Sequence, residues 1–255
     1  MKKIKIFGFY ILIAIGLSCQ NENNQEDVAS TSVLQNEDWL SSKLDNNFAS
    51  SQKQVAGYLF SISEMKSLLE KSDITEVHFK LGFIDNTIQM QVAGISESGV
   101  ELGIVKSAIL KESIFRDQLT NLSALSVSST AKRTKLLNSH LLTPVDAFLW
   151  ISEWQKKLSN ISQLDEATSY KGNRFRYFSL EAEVVKAMLY QGNVNLGAFF
   201  GINPKGKATI ILIGLDKSNH LKKTSFKSEE TGDIYDGTRP CPPCVEEDEK
   251  ENTVE

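Results

Sequence analysis

Residues Tyr58 to Gly99 read YLFSISEMKSLLEKSDITEVHFKLGFIDNTIQMQVAGISESG, and Tyr177 to Asn219 read YFSLEAEVVKAMLYQGNVNLGAFFGINPKGKATIILIGLDKSN. Each stretch opens on an aromatic-Ser pair, continues with a helix-period segment, and ends in two strand-like runs and a polar turn. In the first, Ile62, Met65, Leu68 and Leu69 fall on one helical face, and Ser61-x-x-Glu64 reads as a capping box. Val77, Phe79, Leu81 and Phe83 alternate with Glu76, His78 and Lys80, which predicts a strand with one wet face. Ile88, Met90 and Val92 alternate with Gln89 and Gln91 in the same way, and Asp85-Asn86 supplies the turn. In the second stretch Ala208 to Leu215 is continuously apolar, the pattern of a central strand covered on both faces.

The two stretches align. Phe60-Ser61 matches Phe178-Ser179, and Val92-Ala93-Gly94-Ile95 matches Leu212-Ile213-Gly214-Leu215. Order, lengths and turn positions agree together, which reads as a diverged internal repeat. A copy of about 40 residues is too short for a core of its own, so a shared core is expected.

Outward from the repeat, residues 101–142 read as a helical linking region: Val105, Ile109, Leu110, Ile114 and Leu122 keep helical spacing. Thr143-Pro144-Val145-Asp146 is a helix cap with Pro at the first helical position, followed by an apolar stripe of Ala147, Phe148, Ile151, Trp154 and Leu158. A shorter helical echo, Asp38-Trp39 to Leu44, precedes the first copy. The expected fold is α+β: a diverged tandem repeat of helix plus antiparallel β-hairpin, with intervening helices packed on the sheet or sheets. The expected boundaries are 37–100 for the first unit, 101–142 for the linking region and 143–244 for the second unit.

Composition fits this body. At 41% hydrophobic and 24% charged, the 255-residue chain is ordinary globular material, which excludes disorder throughout. Three cysteines are too few for a disulfide scaffold.

The start of the chain differs. Lys2, Lys3 and Lys5 precede an apolar run from Ile6 to Leu17, a secretory signal too short for a comfortable membrane span. Ser18-Cys19 follows directly and resembles the lipobox of bacterial lipoproteins, with Gly16 and Leu17 where the strict pattern has Leu and then a small residue. The resemblance implies that residues 1–18 are removed and that Cys19 is acylated, an anchor stable enough to hold the chain on a membrane. Gln20-Asn21-Glu22 carries no Asp at the second position after Cys19, so the outer membrane is expected, with an outward orientation open. Residues 19–36 read as a flexible polar tether and 245–255 as an acidic disordered tail.

Loss of the three lysines takes the net charge from −4 to −7. The segment 20–38 and the tail carry the acidity, which leaves a slightly basic body and no case for nucleic acid.

Candidate chemistry is thin. Gly201 to Ala208 nearly spells a phosphate-binding loop, but it lacks the hydroxyl residue and leads into a strand, so a hairpin turn explains it. Ser-x-x-Lys occurs at Ser50, Ser63 and Ser129 without the partners an acyl-enzyme serine needs. His78, His140 and His220 keep no metal-ligand spacing. His78 belongs to the wet strand face, and His140 precedes a helix cap, where a local hydrogen bond is expected. Glu181 and Glu183 read as helix N-terminal charges. No catalytic residue, metal site or cofactor is expected.

Cys241-Pro242-Pro243-Cys244 has more chemical potential. C-x-x-C can be a redox pair, half a zinc site or a local disulfide. The acidic tail raises a thiol pKa, the wrong direction for a reactive thiolate, and an oxidising envelope makes a disulfide the default.

Gly214-Leu215-Asp216, together with Ile234-Tyr235-Asp236 and the Pro240 to Cys244 run, resembles a family of uncharacterised bacterial envelope lipoproteins. The likeness covers about the last third of the chain plus the lipobox, and it carries no catalytic residues across. The expected function is that of an outer-membrane-anchored, non-enzymatic binding or scaffold module. The alternative is a periplasmic thiol-redox or envelope-assembly accessory using Cys241 and Cys244. The expected partners are the membrane, through the lipid on Cys19, and an envelope or surface protein or polymer.

Overall fold

A computed structural model of the chain describes residues 39–123, 133–190, 193–221, 234–236 and 238–244. The signal, Cys19, the tether, Ser129 and the acidic tail lie outside the described residues. From the start, the elements are α1 (Asn46–Gln52), β1 (Val55–Ser61), α2 (Ile62–Leu69), β2 (Ile74–Ile84), β3 (Thr87–Ser96), β4 (Glu101–Lys106) and β5 (Ala108–Lys111). Then come α3 (Glu112–Leu122), α4 (Lys135–His140), α5 (Pro144–Lys157), a 3₁₀ turn at Ile161–Gln163, α6 (Leu164–Ala167), β6 (Ser169–Tyr170) and β7 (Asn173–Arg174). The chain closes with β8 (Tyr177–Glu181), α7 (Ala182–Leu189), β9 (Asn195–Ile202), β10 (Ala208–Leu215), β11 (Ile234–Tyr235) and β12 (Arg239–Cys241). No helix among the described residues is long and apolar enough to cross a membrane.

Local chemistry accounts for most boundaries. Asp45 caps α1, accepting from the amides of Asn47 and Phe48. Thr143 caps α5 through the Asp146 amide, with Pro144 in the first turn. Asp85 and Asn86 both sit at positive φ, 51° and 56°, as a two-residue hairpin loop requires. The Gly201–Ala208 stretch is a hairpin connection: Asn203 Oδ1 accepts from the amides of Lys205 and Lys207, and Gly206 takes φ +76°. Ser61 does begin α2, but its hydroxyl bonds Ser63 rather than an amide, so the capping box is not formed.

Two five-stranded antiparallel sheets result, β11-β10-β9-β1-β5 (sheet 1) and β12-β8-β2-β3-β4 (sheet 2), with β6-β7 as a separate ribbon. The pairing crosses between the halves. β1 leaves its own hairpin and pairs with β9, Tyr58 opposite Ala198 and Phe60 opposite Leu196. β8 does the reverse, pairing with β2, Phe178 opposite Phe79 and Leu180 opposite Val77. The helix after each strand, α2 or α7, carries the chain from one sheet to the other. The same order then repeats at the edges. β4 passes to β5 through Ser107, moving from sheet 2 to sheet 1, and β11 passes to β12, moving from sheet 1 to sheet 2. Strands that switch sheets make the corners of a sandwich.

The core lies between the sheets. Tyr58, Phe60, Leu196, Phe200, Ile210 and Leu212 of sheet 1 meet Val77, Phe79, Val92, Phe178 and Leu180 of sheet 2. Phe178 packs edge-on against Phe200, centroids 6.1 Å apart, and Phe60 against Phe79 at 6.2 Å. Both halves share this core, as their short length requires. A second apolar layer covers the far side of sheet 1, where Phe115, Leu122, Ala147 and Ile151 of α3 and α5 pack on Ala56, Phe199, Ile211, Ile213 and Leu215. All eight residues of β10 are therefore buried.

Two expectations change. Residues 101–111 are strand, not helix: the spacing of Val105, Ile109 and Leu110 mimics a helical face because the strand turns a corner at Ser107, which resets the face each side chain meets. Helix in the linking region is confined to α3 and α4 among the described residues. The echo ahead of the first copy is a single turn at 39–41, and the full helix, α1, begins later. The helix starts also bear on the expected alignment of the two stretches. Ser61 and Glu181 hold equivalent cap positions, so Phe60 corresponds to Leu180 rather than Phe178.

Candidate functional site

Sheet 2 buries one face in the core and carries a row of polar side chains on the other. Register sets what that face carries. Glu76 lies opposite Glu181, His78 opposite Ser179, and Lys80 opposite Tyr177. Beyond β8, Arg239 of β12 lies opposite Ser179 and Cys241 opposite Tyr177. On the other side Lys80 faces Gln91, which faces Lys106.

These side chains connect. The Arg239 guanidinium reaches Glu181 at 3.2 Å and Glu76 at 3.3 Å. Glu76 bonds His78 Nε2 at 3.0 Å, and the His78 ring stacks on Tyr177, centroids 4.0 Å apart and 9° from parallel. At the other end Glu181 meets His140 Nε2 at 3.3 Å, while His140 Nδ1 lies 3.3 Å from the Asp236 carbonyl oxygen. The strap Ile234–Asp236 is held in turn: the Asp236 amide donates to the His140 carbonyl, and Thr209 donates to the Asp236 carboxylate at 2.5 Å. A string of charged groups thus runs from the sheet corner across three strands. His140 makes long-range contacts with β8 and the strap, not the local cap bond its sequence position suggests.

The string is electrostatically asymmetric. Contact with His140 holds the Glu181 carboxyl down to about 2, against a partial loss of water that pushes the other way, with Arg239 assisting. The Glu181 carboxylate raises the His140 imidazole above its ordinary 6.5, opposed by burial and by Arg239. A raised histidine contributes stability below pH 6.5 and loses it as pH rises through its folded value. A lowered carboxyl contributes above its ordinary 4.5 and loses it as pH falls through about 2. The pair is therefore fully formed between these ordinary values, and its contribution fades as pH rises above that window. We expect the thermal midpoint of His140→Gln to fall furthest below wild type near pH 5.5 and to converge on it toward pH 9. A constant difference across that range would mean the contact carries no charge.

Cys241 and Cys244 are disulfide-bonded, with Cα atoms 4.4 Å apart. Cys241 is buried at the end of β12, its carbonyl accepting from the Arg176 amide, and Cys244 is exposed. No described helix starts at the pair, so the helix-dipole lowering that activates a thioredoxin-type thiolate is missing there.

Trp39, the first described residue, is fully buried against Phe48 and Phe83. Its indole N–H donates to the Phe175 carbonyl at 2.6 Å. The Arg174 guanidinium stands 5.0 Å over its ring, donates to the carbonyls of Trp39 and Ser42, and pairs with Asp165 at 2.7 Å.

Two concavities stand out on the surface of the described residues. A cleft of about 550 Å³ lies by α3, lined by Lys53, Glu112, Arg116 and Asp117 among others. It holds charges of both signs, and Glu112 pairs internally with Arg116. A smaller hollow of about 80 Å³ sits on the outer face of sheet 2.

Among the sequence candidates, His78, His140 and Glu181 enter one array, with Cys241 at its border. His220 lies apart, its amide bonded to Asp216 in a turn, and Ser50 and Ser63 are exposed on α1 and α2. Arg239 was missed, although it precedes the Cys pair and alternates with it on β12. No group of His, Cys, Asp and Glu able to hold a metal ion occurs among the described residues. Comparison with protein-family models, curated proteins and solved structures finds no match.

Proposed function

We propose that the chain is a lipoprotein anchored through Cys19 in the outer membrane, and that its body is a non-enzymatic binding or scaffold module. The observation that carries the binding reading is the outer face of sheet 2. It is five strands wide and crossed by side chains already fixed on one another. Groups held in place before a partner arrives lose little freedom when it docks.

The tether reading draws support from Trp39. A chain pulled through its N-terminus would transmit force to a buried, guanidinium-clamped indole rather than to a loose strand end. The buried sulfur of Cys241 and its place at a strand end favour a structural brace over the thiol-redox alternative. We also infer that the two halves descend from one duplicated unit. The shared order of strand, helix, hairpin and corner supports this, and exchange of the first strand gives both short copies a common core.

The test is fractionation and shaving. Wild-type protein is expected in the outer-membrane fraction, and Cys19→Ala in the soluble fraction. Unchanged membrane association of Cys19→Ala sinks the lipid anchor. Protease added to intact cells is expected to remove the body; protection until lysis would place it in the periplasm.

A further inference from the structure

β4 is an open edge of sheet 2, and the other edges of the two large sheets are guarded. At the far side of sheet 2, β12 carries Pro240, which has no amide to donate, and Pro242 and Pro243 follow it. In sheet 1 the outer side of β11 is taken: Leu141 bridges to Tyr235, and the Leu142 amide donates to the Ile234 carbonyl at 2.9 Å. β5, at the other edge, has four residues, and its pairing with β1 breaks register between Val55 and Gly57. β4 has six residues and no proline. Just past its end, the Ser107 amide donates to the Met90 carbonyl at 3.3 Å. Followed back along the register from that bond, Val105 exchanges bonds with Val92, while Ile104 and Lys106 turn their amides and carbonyls away from β3. Apolar surface flanks this edge: Ile84 is 42% exposed beside Lys106, and Val100, just before the strand, is 55% exposed.

The side chains of β4 decide what can pair with it. Glu101 and Lys106 are five positions apart, so a regular strand would point them to opposite faces. A bulge resets this: β3 steps from Gly94 to Ile95 while β4 steps from Gly103 to Glu101, which leaves Leu102 extra. Lys71 donates to the Leu102 carbonyl at 2.8 Å and fixes the bulge. Glu101 and Lys106 therefore share the outer face. Glu101 reaches Lys80 there at 2.9 Å, and Lys106, in line with Gln91 and Lys80, has no ion-pair partner among the described residues. An incoming antiparallel strand suits this row when it brings an acid to Lys106 and a base to Glu101, with an apolar residue between them. β4 is itself that strand. A second copy turned about a twofold axis through Ile104 sets Ile104 against Ile104 and each Lys106 beside the other copy's Glu101. Opposed side chains then lie on one face of the sheet, as antiparallel pairing requires.

We propose that the edge of β4 is a self-association surface: two copies pair β4 to β4, antiparallel, and sheet 2 runs on through both. The Ile104 amides and carbonyls bond each other across the axis, and two Lys106–Glu101 pairs flank them. The proposal goes beyond the anchored-module reading and stands on the described body alone.

The test is light scattering on the full chain purified from cells, in an excess of detergent micelles so that a shared micelle does not pair the copies. Wild type is expected to show the mass of two copies at about 100 μM. Glu101→Lys and Lys106→Glu each bring like charges together across the axis, and each alone is expected to weaken pairing at least about tenfold. Both positions are exposed, so the thermal midpoints are expected to stay unchanged. Mixed in equal amounts, the two variants meet opposite charges at both places, and pairing is expected to return. An interface elsewhere on the molecule gives no such rescue. Hydrogen exchange on the wild type locates the contact without any variant: the amides of Ile104 and Lys106 are expected to slow as the chain is concentrated. A wild type of one-copy mass even at about 1 mM, a mixture that pairs no better than either variant, or edge amides whose exchange ignores concentration would each overturn the proposal.

Discussion

Trp39→Ala is expected to destabilise the body by about 4 kcal/mol, in the range for removing a large buried aromatic. The indole is fully buried, and three interactions go with it. Phe48 and Phe83, 6.1 Å from each other, lose the ring that each approaches at 6.4 Å. The Phe175 carbonyl loses its 2.6 Å donor in the interior, and Arg174 loses the face it stands over. Trp39→Phe keeps an aromatic in the cavity and gives up the N–H and part of the volume, so about 2 kcal/mol is expected. Urea unfolding midpoints measure both. A loss below about 1 kcal/mol for Trp39→Ala would show that residues 39–44 are an appendage and not part of the cooperative unit. The result bears on the proposed tether because Trp39 is the first described residue.

The sequence announces elements better than it announces their partners. Period-2 alternation in β2 and β3, the helical face of Ile62, Met65, Leu68 and Leu69, and the continuous run of β10 each follow from burial, which composition records residue by residue. The exchange of β1 and β8 is not recorded that way. An apolar strand suits either hairpin, and the choice is made by α2 and α7, each of which carries its chain across the core to the opposite sheet. The corner at Ser107 misleads for a related reason: periodicity assumes one environment along a segment, and here the environment changes in the middle. The site divides along the same line. Glu76, His78 and Lys80 are legible as one wet strand face because a strand's own period places them there. Arg239 joins Glu76 from 163 positions away, and His140 joins Asp236 from 96 away, through strand order alone. Trp39 was visible only as a helical echo, because its meaning depends on Phe175 and Arg174 far along the chain.

Gly214→Ala is expected to cost about 3 kcal/mol, well above the same change at its counterpart Gly94. Both glycines lie on the core hairpins, but what they face differs. A methyl group on Gly214 would stand 2.1 Å from Asn193 Nδ2 and 2.3 Å from its Cγ. Asn193 is 7% exposed and donates from Nδ2 to the Met188 carbonyl at 3.0 Å, closing the last turn of α7, so it has nowhere to retreat without breaking that bond. Its Oδ1 is already buried without a partner, so the side chain starts with no reserve of hydrogen bonds. A methyl on Gly94 meets the ends of Ile74 and Leu68, at 2.5 and 3.2 Å. Those are flexible aliphatic tips, and about 1 kcal/mol is expected there. The two causes at Gly214 separate in a double-mutant cycle. Asn193→Ala removes the obstacle and the hydrogen bond together, so Gly214→Ala added to it should cost at least about 1 kcal/mol less than it does in the wild-type background. Additive losses would mean that the strain lies in the β10 backbone and that Asn193 moves aside freely. The two hairpins are thus sealed differently: Asn193 closes the α7 end against Gly214 with an amide, where Gly94 meets only hydrocarbon.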